Sequence, residues 1–346
     1  MNQQVGAAGQ GWVLGLDTSF YTTSVAAVDL AGHLLSARRV LLTVPPGERG
    51  VRPQEGVFLH VKALPGLVEE VLAEVRGTCP AASPQAVAAS LRPLPQPDSY
   101  LPVFRVSEGF GRALAAAWQV PFVGTTHQEG HIMAGAWSGG MPLDQGFIAV
   151  HLSGGTTEFL DAGLLPTGRG FALRRLGESK DLHVGQFIDR IGVALGLPFP
   201  AGPHLEQLAA AGRAGLGVIP SHAEGASLSF SGPEAAGLRQ LAQGVRPEDV
   251  AYGAQVCVAR SVEKALRWAL QKSGRRSALI VGGVAANGFL RQSLTSRLAE
   301  SGEVRLFFAS PEYSTDNAVG VALLGRAAVS AREPARPVPL RQDDSQ

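Results

Sequence analysis

Gly146-Phe147-Ile148-Ala149-Val150-His151-Leu152 is an apolar run that breaks at Ser153-Gly154-Gly155-Thr156-Thr157 and resumes as Glu158-Phe159-Leu160-Asp161-Ala162-Gly163. A short apolar run closed by glycine and hydroxyl residues reads as a buried strand, a turn, and a strand that returns. The same device stands near the start of the chain. Trp12-Val13-Leu14-Gly15-Leu16-Asp17-Thr18-Ser19 reads as a buried strand ending in a polar turn, Ser24 to Asp29 as a second strand, and Leu34 to Thr43 as a third. The repetition is one of supersecondary structure, not of sequence.

Around these devices lie helical segments. Pro65 to Leu72 has helical periodicity, Val87 to Ser90 reads as a short strand before the proline-rich loop Arg92–Pro97, and Glu108 to Gln119 is an alanine-rich helix. Pro121 to Gly124 is a further strand. In the second half, Ala251 to Lys272 is a long amphipathic helix, and Ala278 to Val281 is a buried strand running into Gly282-Gly283-Val284-Ala285-Ala286-Asn287. Two facing turns of small residues, with a glycine-rich strand-to-helix turn beyond, suit a nucleotide phosphate chain held by backbone N–H groups and hydroxyls. The expectation is an α/β protein of the two-lobed actin and sugar-kinase type. Its divisions are a loose N-terminus over 1–11, a first lobe over 12–145, a second lobe over 146–326 with a helical insertion at about 185–250, and a frayed tail over 327–346.

With 45% hydrophobic and 17% charged residues, the 346-residue chain has ample material for a large buried core. A net charge of +1 supplies no global field toward nucleic acid, although the pairs Arg38-Arg39, Arg174-Arg175 and Arg275-Arg276 are locally basic. Two cysteines, Cys79 and Cys257, are too few for a disulfide framework or a thiolate zinc site. The absence of a charged-then-apolar N-terminal signal and of an apolar run of about 18 residues leads to the expectation of a cytoplasmic protein with no membrane segment.

The chemistry-bearing pattern is Thr-Thr-His-Gln-Glu-Gly-His-Ile at 125–132. His127 and His131 are four apart, so on a helix they project about 40° from one another at roughly 100° per residue. Both rings reach one ion, and a carboxylate such as Asp316 in Ser-Thr-Asp-Asn-Ala would complete a two-histidine, one-carboxylate face that leaves positions open for substrate. Taken alone, two surface or satisfied histidines explain the pair as well. Ser153–Thr157 is equally compatible with an ordinary hairpin turn, Gly282–Asn287 with close strand–helix packing, Asp189 with a solvated helix charge, and Gly202 with a plain turn.

Read together and in order, these segments resemble the tRNA threonylcarbamoyladenosine transferase family, also called glycoprotease-like. The family's N-H-x-x-G-H-I falls on Thr126–Ile132, V-S-G-G-x-T on Leu152–Thr157, and L-G-x-T-x-D-D-A-A-G-E-A-F-D-K on Leu176–Arg190. Y-P-G-G-P falls on Phe199–Pro203, F-S-F-S-G on Leu228–Gly232, G-G-V-A-x-N on Gly282–Asn287, and T-D-N-A on Thr315–Ala318. The resemblance runs from about Trp12 to Arg326.

The resemblance implies an actin-like ATPase (ASKHA) fold and a metal, iron or zinc, on His127, His131 and Asp316. It makes His151 a candidate extra ligand, because archaeal relatives have a metal-contacting tyrosine there. Ser153, Gly154, Gly155, Thr156, Asp189, Gly202 and Asn287 fall on positions that hold ATP or threonylcarbamoyl-adenylate. The implied reaction moves the threonylcarbamoyl group to the N6 amine of an anticodon-adjacent adenosine in tRNA. The implied partners are tRNA, a second actin-like subunit paired through helices around Gly56–Leu72 and Glu108–Gln119, and a small ATPase.

The chain departs from the family pattern at several places. The family's acidic pair in E-T-S-C-D-E-T-S is replaced by Tyr21 and Thr22, neither of which acts as a carboxylate base at pH 7. The G-P-G-L loop becomes Arg92-Pro93-Leu94-Pro95, the lysine of S-G-L-K-T becomes Glu234, and two acids of D-D-A-A-G-E become Leu182 and Gln186. These changes leave the catalytic residues unassigned. They also define an alternative, a catalytically impaired paralogue that binds nucleotide and metal as a scaffold or regulator. A zinc peptidase is disfavoured by spacing. In H-E-x-x-H the glutamate follows the first histidine directly, whereas Glu129 is two residues on and roughly 200° round the helix.

Overall fold

The computed structural model describes residues 11–42, 51–298 and 304–331. The first half comprises β1 (Gly11–Thr18), β2 (Thr22–Asp29), β3 (Leu34–Leu41), α1 (Pro53–Thr78), β4 (Ser83–Ser90), α2 (Phe104–Trp118), β5 (Phe122–Thr125) and α3 (His127–Ser138). The second half begins with β6 (Phe147–Leu152), β7 (Thr157–Leu164), β8 (Phe171–Glu178), α4 (Val184–Ala194) and α5 (Gly202–Ala209). There follow a small hairpin of β9 (Ala223–Glu224) and β10 (Ser227–Leu228), then α6 (Ser231–Ala242) and α7 (Pro247–Ser273). The chain closes with β11 (Ser277–Val281), a 3-10 turn over Gly283–Ala286, α8 (Gly288–Leu298), β12 (Arg305–Phe308) and α9 (Val319–Ser330).

The two halves carry sheets of one plan. The first is ordered β3-β2-β1-β4-β5 and the second β8-β7-β6-β11-β12. In each, the first three strands form an antiparallel meander and the last two add in parallel beside the first. Strand by strand, β6, β7, β8, β11 and β12 repeat β1, β2, β3, β4 and β5, which is the duplication read in the two strand–turn–strand devices.

Every residue of β1 and of β6 is buried, as expected for strands covered on both faces. Their side chains alternate between two cores. Trp12, Leu14 and Leu16 pack with α1 and α2, whereas Val13 faces the opposite core. Phe147 and Ala149 share that middle core with Val13, while Ile148, Val150 and Leu152 face α4 and α7. The middle core is built on α3 and α9, which lie between the two sheets, so α9 returns to the first sheet after the chain has crossed to the second.

This return depends on one glycine. A Cβ on Gly320 of α9 would overlap the Gly130 carbonyl oxygen of α3, so the two helices cross backbone to backbone. The crossing sets α3, with His127 and His131, against the loop that carries Asp316 into α9.

α1 extends beyond the expected segment at both ends, opening on Pro53, and α2 begins at Phe104. The third strand ends at Leu41, Thr43 lying outside the described residues. α9 runs to Ser330, anchored by buried Ala328, so positions 327–330 of the expected tail are helical. Positions 332–346 and the first ten residues lie outside the described ones. Among the described residues, no helix is long and apolar enough to cross a membrane.

Candidate metal and nucleotide site

His127 is the first residue of α3, and its helix start is well specified. Thr126 accepts a hydrogen bond from the Glu129 N–H, and the Glu129 carboxylate accepts one from the Thr126 N–H at 3.0 Å, a reciprocal capping box. The other Glu129 oxygen accepts from the Phe171 N–H at 2.9 Å. Glu129 is therefore committed to the helix cap and to β8, and is not a base beside the histidines.

The two imidazoles converge. His127 Nε2 and His131 Nε2 are 3.2 Å apart, and Asp316 Oδ1 lies 3.4 Å from the first and 3.2 Å from the second. One ligand atom from each of the three residues falls within 4.8 Å of the others. Asp316 arrives from the loop before α9, and its second oxygen accepts a hydrogen bond from the Ser19 hydroxyl in the turn after β1.

Behind His127 stands Asp17, fully buried at the end of β1, with both carboxylate oxygens 3.1 Å from His127 Nδ1. A carboxylate only accepts, so Nδ1 carries a proton in either protonation state of the ring, and Nε2 is the nitrogen turned toward His131 and Asp316, the one a metal would take after losing its proton. Sequence reasoning missed this role for Asp17. The available signal was an acidic residue ending an otherwise apolar strand.

The electrostatics follow from the geometry. Burial alone would lower the His127 pKa, but the carboxylates of Asp17 and Asp316 outweigh it and hold the ring well above 6.5. Burial would likewise raise Asp316, yet the neighbouring imidazoles hold it well below 3.8. The donor set, two nitrogens and one oxygen on a shared point, fits a divalent ion with open positions.

His151, near the end of β6, has its ring centroid 5.1 Å from that of His131. Its Nδ1 is buried without a hydrogen-bond partner among the described residues, and it stands outside the three-residue cluster. Burial, reinforced by the His131 and His127 imidazoles, holds its pKa well below 6.5, so the ring is neutral and its lone pair free.

Beside this cluster opens a cavity of about 500 Å³ whose lining includes Ser153, Gly154, Asp189, Gly202 and Asn287, five of the seven residues expected to hold nucleotide. It also includes Thr315, so the cavity reaches the residue next to Asp316. Gly155 and Thr156 are not in the lining. Their N–H groups donate to Ser153 Oγ at 3.3 and 3.0 Å, closing the turn on itself. Asp189 accepts from the Ala201 N–H at 2.8 Å, and burial nonetheless raises its pKa. Asn287 Oδ1 caps α8 through the Leu290 N–H at 2.8 Å. Gly185, Pro200, Glu206 and Gly283 also line it, Gly283 from the glycine-rich turn expected to let backbone approach a ligand.

The turn that lacks the acidic pair is plainly visible. Tyr21 is exposed and stacks edge-on against Phe20 at 4.7 Å, and Thr22 is buried at the start of β2.

Fold and site define a two-lobed protein of the actin-like ATPase fold, with a histidine–aspartate cluster joined through Thr315–Asp316 to the lining of a nucleotide-sized cavity. The crystal structure of HypF from T. kodakarensis superimposes with a TM-score of 0.63 at 16% identity, covering 93% of this chain and 48% of that one. Component A of the (R)-2-hydroxyglutaryl-CoA dehydratase of Acidaminococcus fermentans superimposes at 0.54 with 15% identity, covering 92% and 99%.

The chain belongs to the TsaD family, tRNA N6-adenosine threonylcarbamoyltransferase, whose profile matches residues 37–323. A tRNA N6-adenosine threonylcarbamoyltransferase of Prochlorococcus marinus (strain MIT 9303) is 35% identical over 337 residues, with 92% of this chain and 89% of that protein aligned. A probable bifunctional tRNA threonylcarbamoyladenosine biosynthesis protein of Methanothermobacter thermautotrophicus is 31% identical over 321 residues, 93% of this chain. The chain spans 56% of that bifunctional relative's length.

Proposed function

We propose that this chain transfers a threonylcarbamoyl group from threonylcarbamoyl-adenylate to the N6 amine of an anticodon-adjacent adenosine in tRNA. The observation that carries the reading is the adjacency of Thr315 and Asp316: one lines the 500 Å³ cavity and the other completes the histidine cluster. The reading requires a nucleotide bound in the cavity to turn its reactive end toward the cluster.

His127 Nε2, His131 Nε2 and Asp316 Oδ1 would hold one divalent metal, iron or zinc, with the orphaned His151 as the candidate further ligand. Bound there, such an ion would supply Lewis-acid polarisation of the carbamoyl carbonyl. The chain's own residues do the rest. Asp17 keeps His127 in the ligating tautomer, and Ser19 fixes the Asp316 carboxylate. Ser153, Gly154, Gly202 and Asn287 shape the cleft for ATP or the adenylate, and Gly155 and Thr156 close the Ser153 turn. In the transfer, the adenosine nitrogen bonds to the carbamoyl carbon as the C–O bond to the phosphate breaks; AMP leaves with that bond's electrons, and the proton lost by the nitrogen passes to the departing phosphate or to water. With tRNA as acceptor, the protein works in the cytoplasm, alongside a second actin-like subunit and a small ATPase.

The test supplies the adenylate, unmodified tRNA and the partner proteins, and reads modified adenosine by mass spectrometry. Product that vanishes in His127→Ala supports the reading. A folded, nucleotide-binding protein that yields none returns the chain to the scaffold alternative.

A further inference from the structure

Asp316 sits in a loop that leaves β12 of the second sheet and enters α9, which packs on the first. From the first sheet, Arg39 of β3 reaches across to this loop. Its Nη1 donates to Thr315 Oγ1 at 2.7 Å, to the Asp316 carbonyl at 3.2 Å and to the Glu312 carbonyl at 3.4 Å. Among the described residues, Arg39 and Ser19 are the side chains on the β1–β3 side that hydrogen-bond residues 312–316. Ser19 holds the carboxylate, whereas Arg39 holds the backbone on which that carboxylate is mounted.

We propose that Arg39 is a positioning residue for the metal centre, latching the Thr315–Asp316 segment of the crossover to the first sheet so that Asp316 is preorganised against His127 and His131. The inference rests on the metal reading given above. The latch acts on two consecutive residues with different neighbours, since Thr315 borders the cavity and Asp316 completes the cluster. Arg39 itself is exposed, so truncating it opens no core cavity and leaves the fold's stability largely untouched. A loss of metal affinity is then a loss of preorganisation, of the size that residues orienting metal ligands commonly supply.

The experiment titrates cobalt(II) into the metal-stripped full chain and reads its d–d absorption, with melting temperatures of the metal-free proteins as the fold control. Arg39→Ala is expected to weaken cobalt binding about 10-fold or more and to change the absorption envelope at unchanged melting temperature. Arg39→Lys should recover part of the loss. Thr315→Val should weaken binding too, and the double variant should be no worse than Arg39→Ala alone, since both changes break one contact. Wild-type cobalt affinity in Arg39→Ala, with His127→Ala still deficient, overturns the latch and leaves the metal centre standing. Undiminished binding in His127→Ala removes the metal centre and the latch with it.

Discussion

Asp17 grips the Nδ1 of His127 with both carboxylate oxygens at 3.1 Å, from the buried end of the first strand. The contact joins the strand that founds the first sheet to the helix that carries the histidine pair, and it decides which ring nitrogen faces His131 and Asp316.

Asp17→Asn tests that assignment with almost no change of volume. The amide rotates to donate toward Nδ1, which drives the ring proton to Nε2 and removes the ligating lone pair. Zinc affinity is expected to fall about 10- to 100-fold, measured by competition against a chromophoric chelator, with an unchanged circular-dichroism spectrum. Wild-type affinity in the variant would show that Asp17 does not set the tautomer.

Metal uptake should release a proton at neutral pH. In the metal-free chain, Asp17 and Asp316 hold His127 well above 6.5, so the ring is protonated at pH 7 and the ion must displace that proton. Affinity should rise with pH until the raised pKa is passed. Calorimetry in two buffers of different ionisation enthalpy measures the proton count, and a count of zero at pH 7 contradicts the geometry. Stability of the metal-free chain follows by linkage. The His127 contribution is complete below about 6.5 and is lost as pH rises through the higher folded value. The Asp316 contribution is complete above about 3.8 and is lost as pH falls through its lowered value.

Much of this was legible because local pattern and tertiary role coincide. The buried runs at Val13–Leu16 and Phe147–Leu152 are strands whatever surrounds them, and an i, i+4 histidine pair faces one way on any helix. β8 was not legible as a strand, since Arg174, Arg175 and Glu178 pair in ionic contacts on a surface strand that has no apolar alternation. Neither was the place of α9. Its sequence, apolar but for Arg326 and Ser330, marks a buried helix, but only the crossing at Gly320 says which sheet receives it. The N–H groups of the Ser153 turn are expected from sequence to meet phosphate, yet Ser153 Oγ takes two of them, a local choice that composition does not reveal.

Gly320→Ala should be among the most damaging single-methyl additions in the chain. The new methyl group overlaps the Gly130 carbonyl, a backbone atom that cannot step aside. Overpacking of this kind costs about 1–3 kcal/mol or more, read as a lowered denaturation midpoint. Gly109→Ala, at an exposed helix position with open space around it, is the matched control and should stabilise by about 0.5–1 kcal/mol. Equal effects of the two would remove the helix crossing as the cause.

Gly185→Ala separates the nucleotide cleft from the histidine cluster. Gly185 packs on the Ser153–Gly154 turn so closely that a Cβ would stand 2.7 Å from the Gly154 nitrogen. Backbone must give way, and the part that can move is the turn lining the cavity. Nucleotide affinity, followed by equilibrium dialysis with labelled ATP, should fall about 10-fold, since displacing Ser153 and Gly154 deforms the cavity wall they form. His127, His131 and Asp316 hang from α3 and the loop before α9, elements that the turn does not support, so zinc affinity should fall far less than ATP affinity, any loss coming through His151 near the end of β6. Gly283→Ala lines the same cavity with nothing within 4 Å of its Cβ, and should be the milder of the two. If Gly185→Ala instead weakened zinc and spared ATP, the cavity would not be the nucleotide's seat.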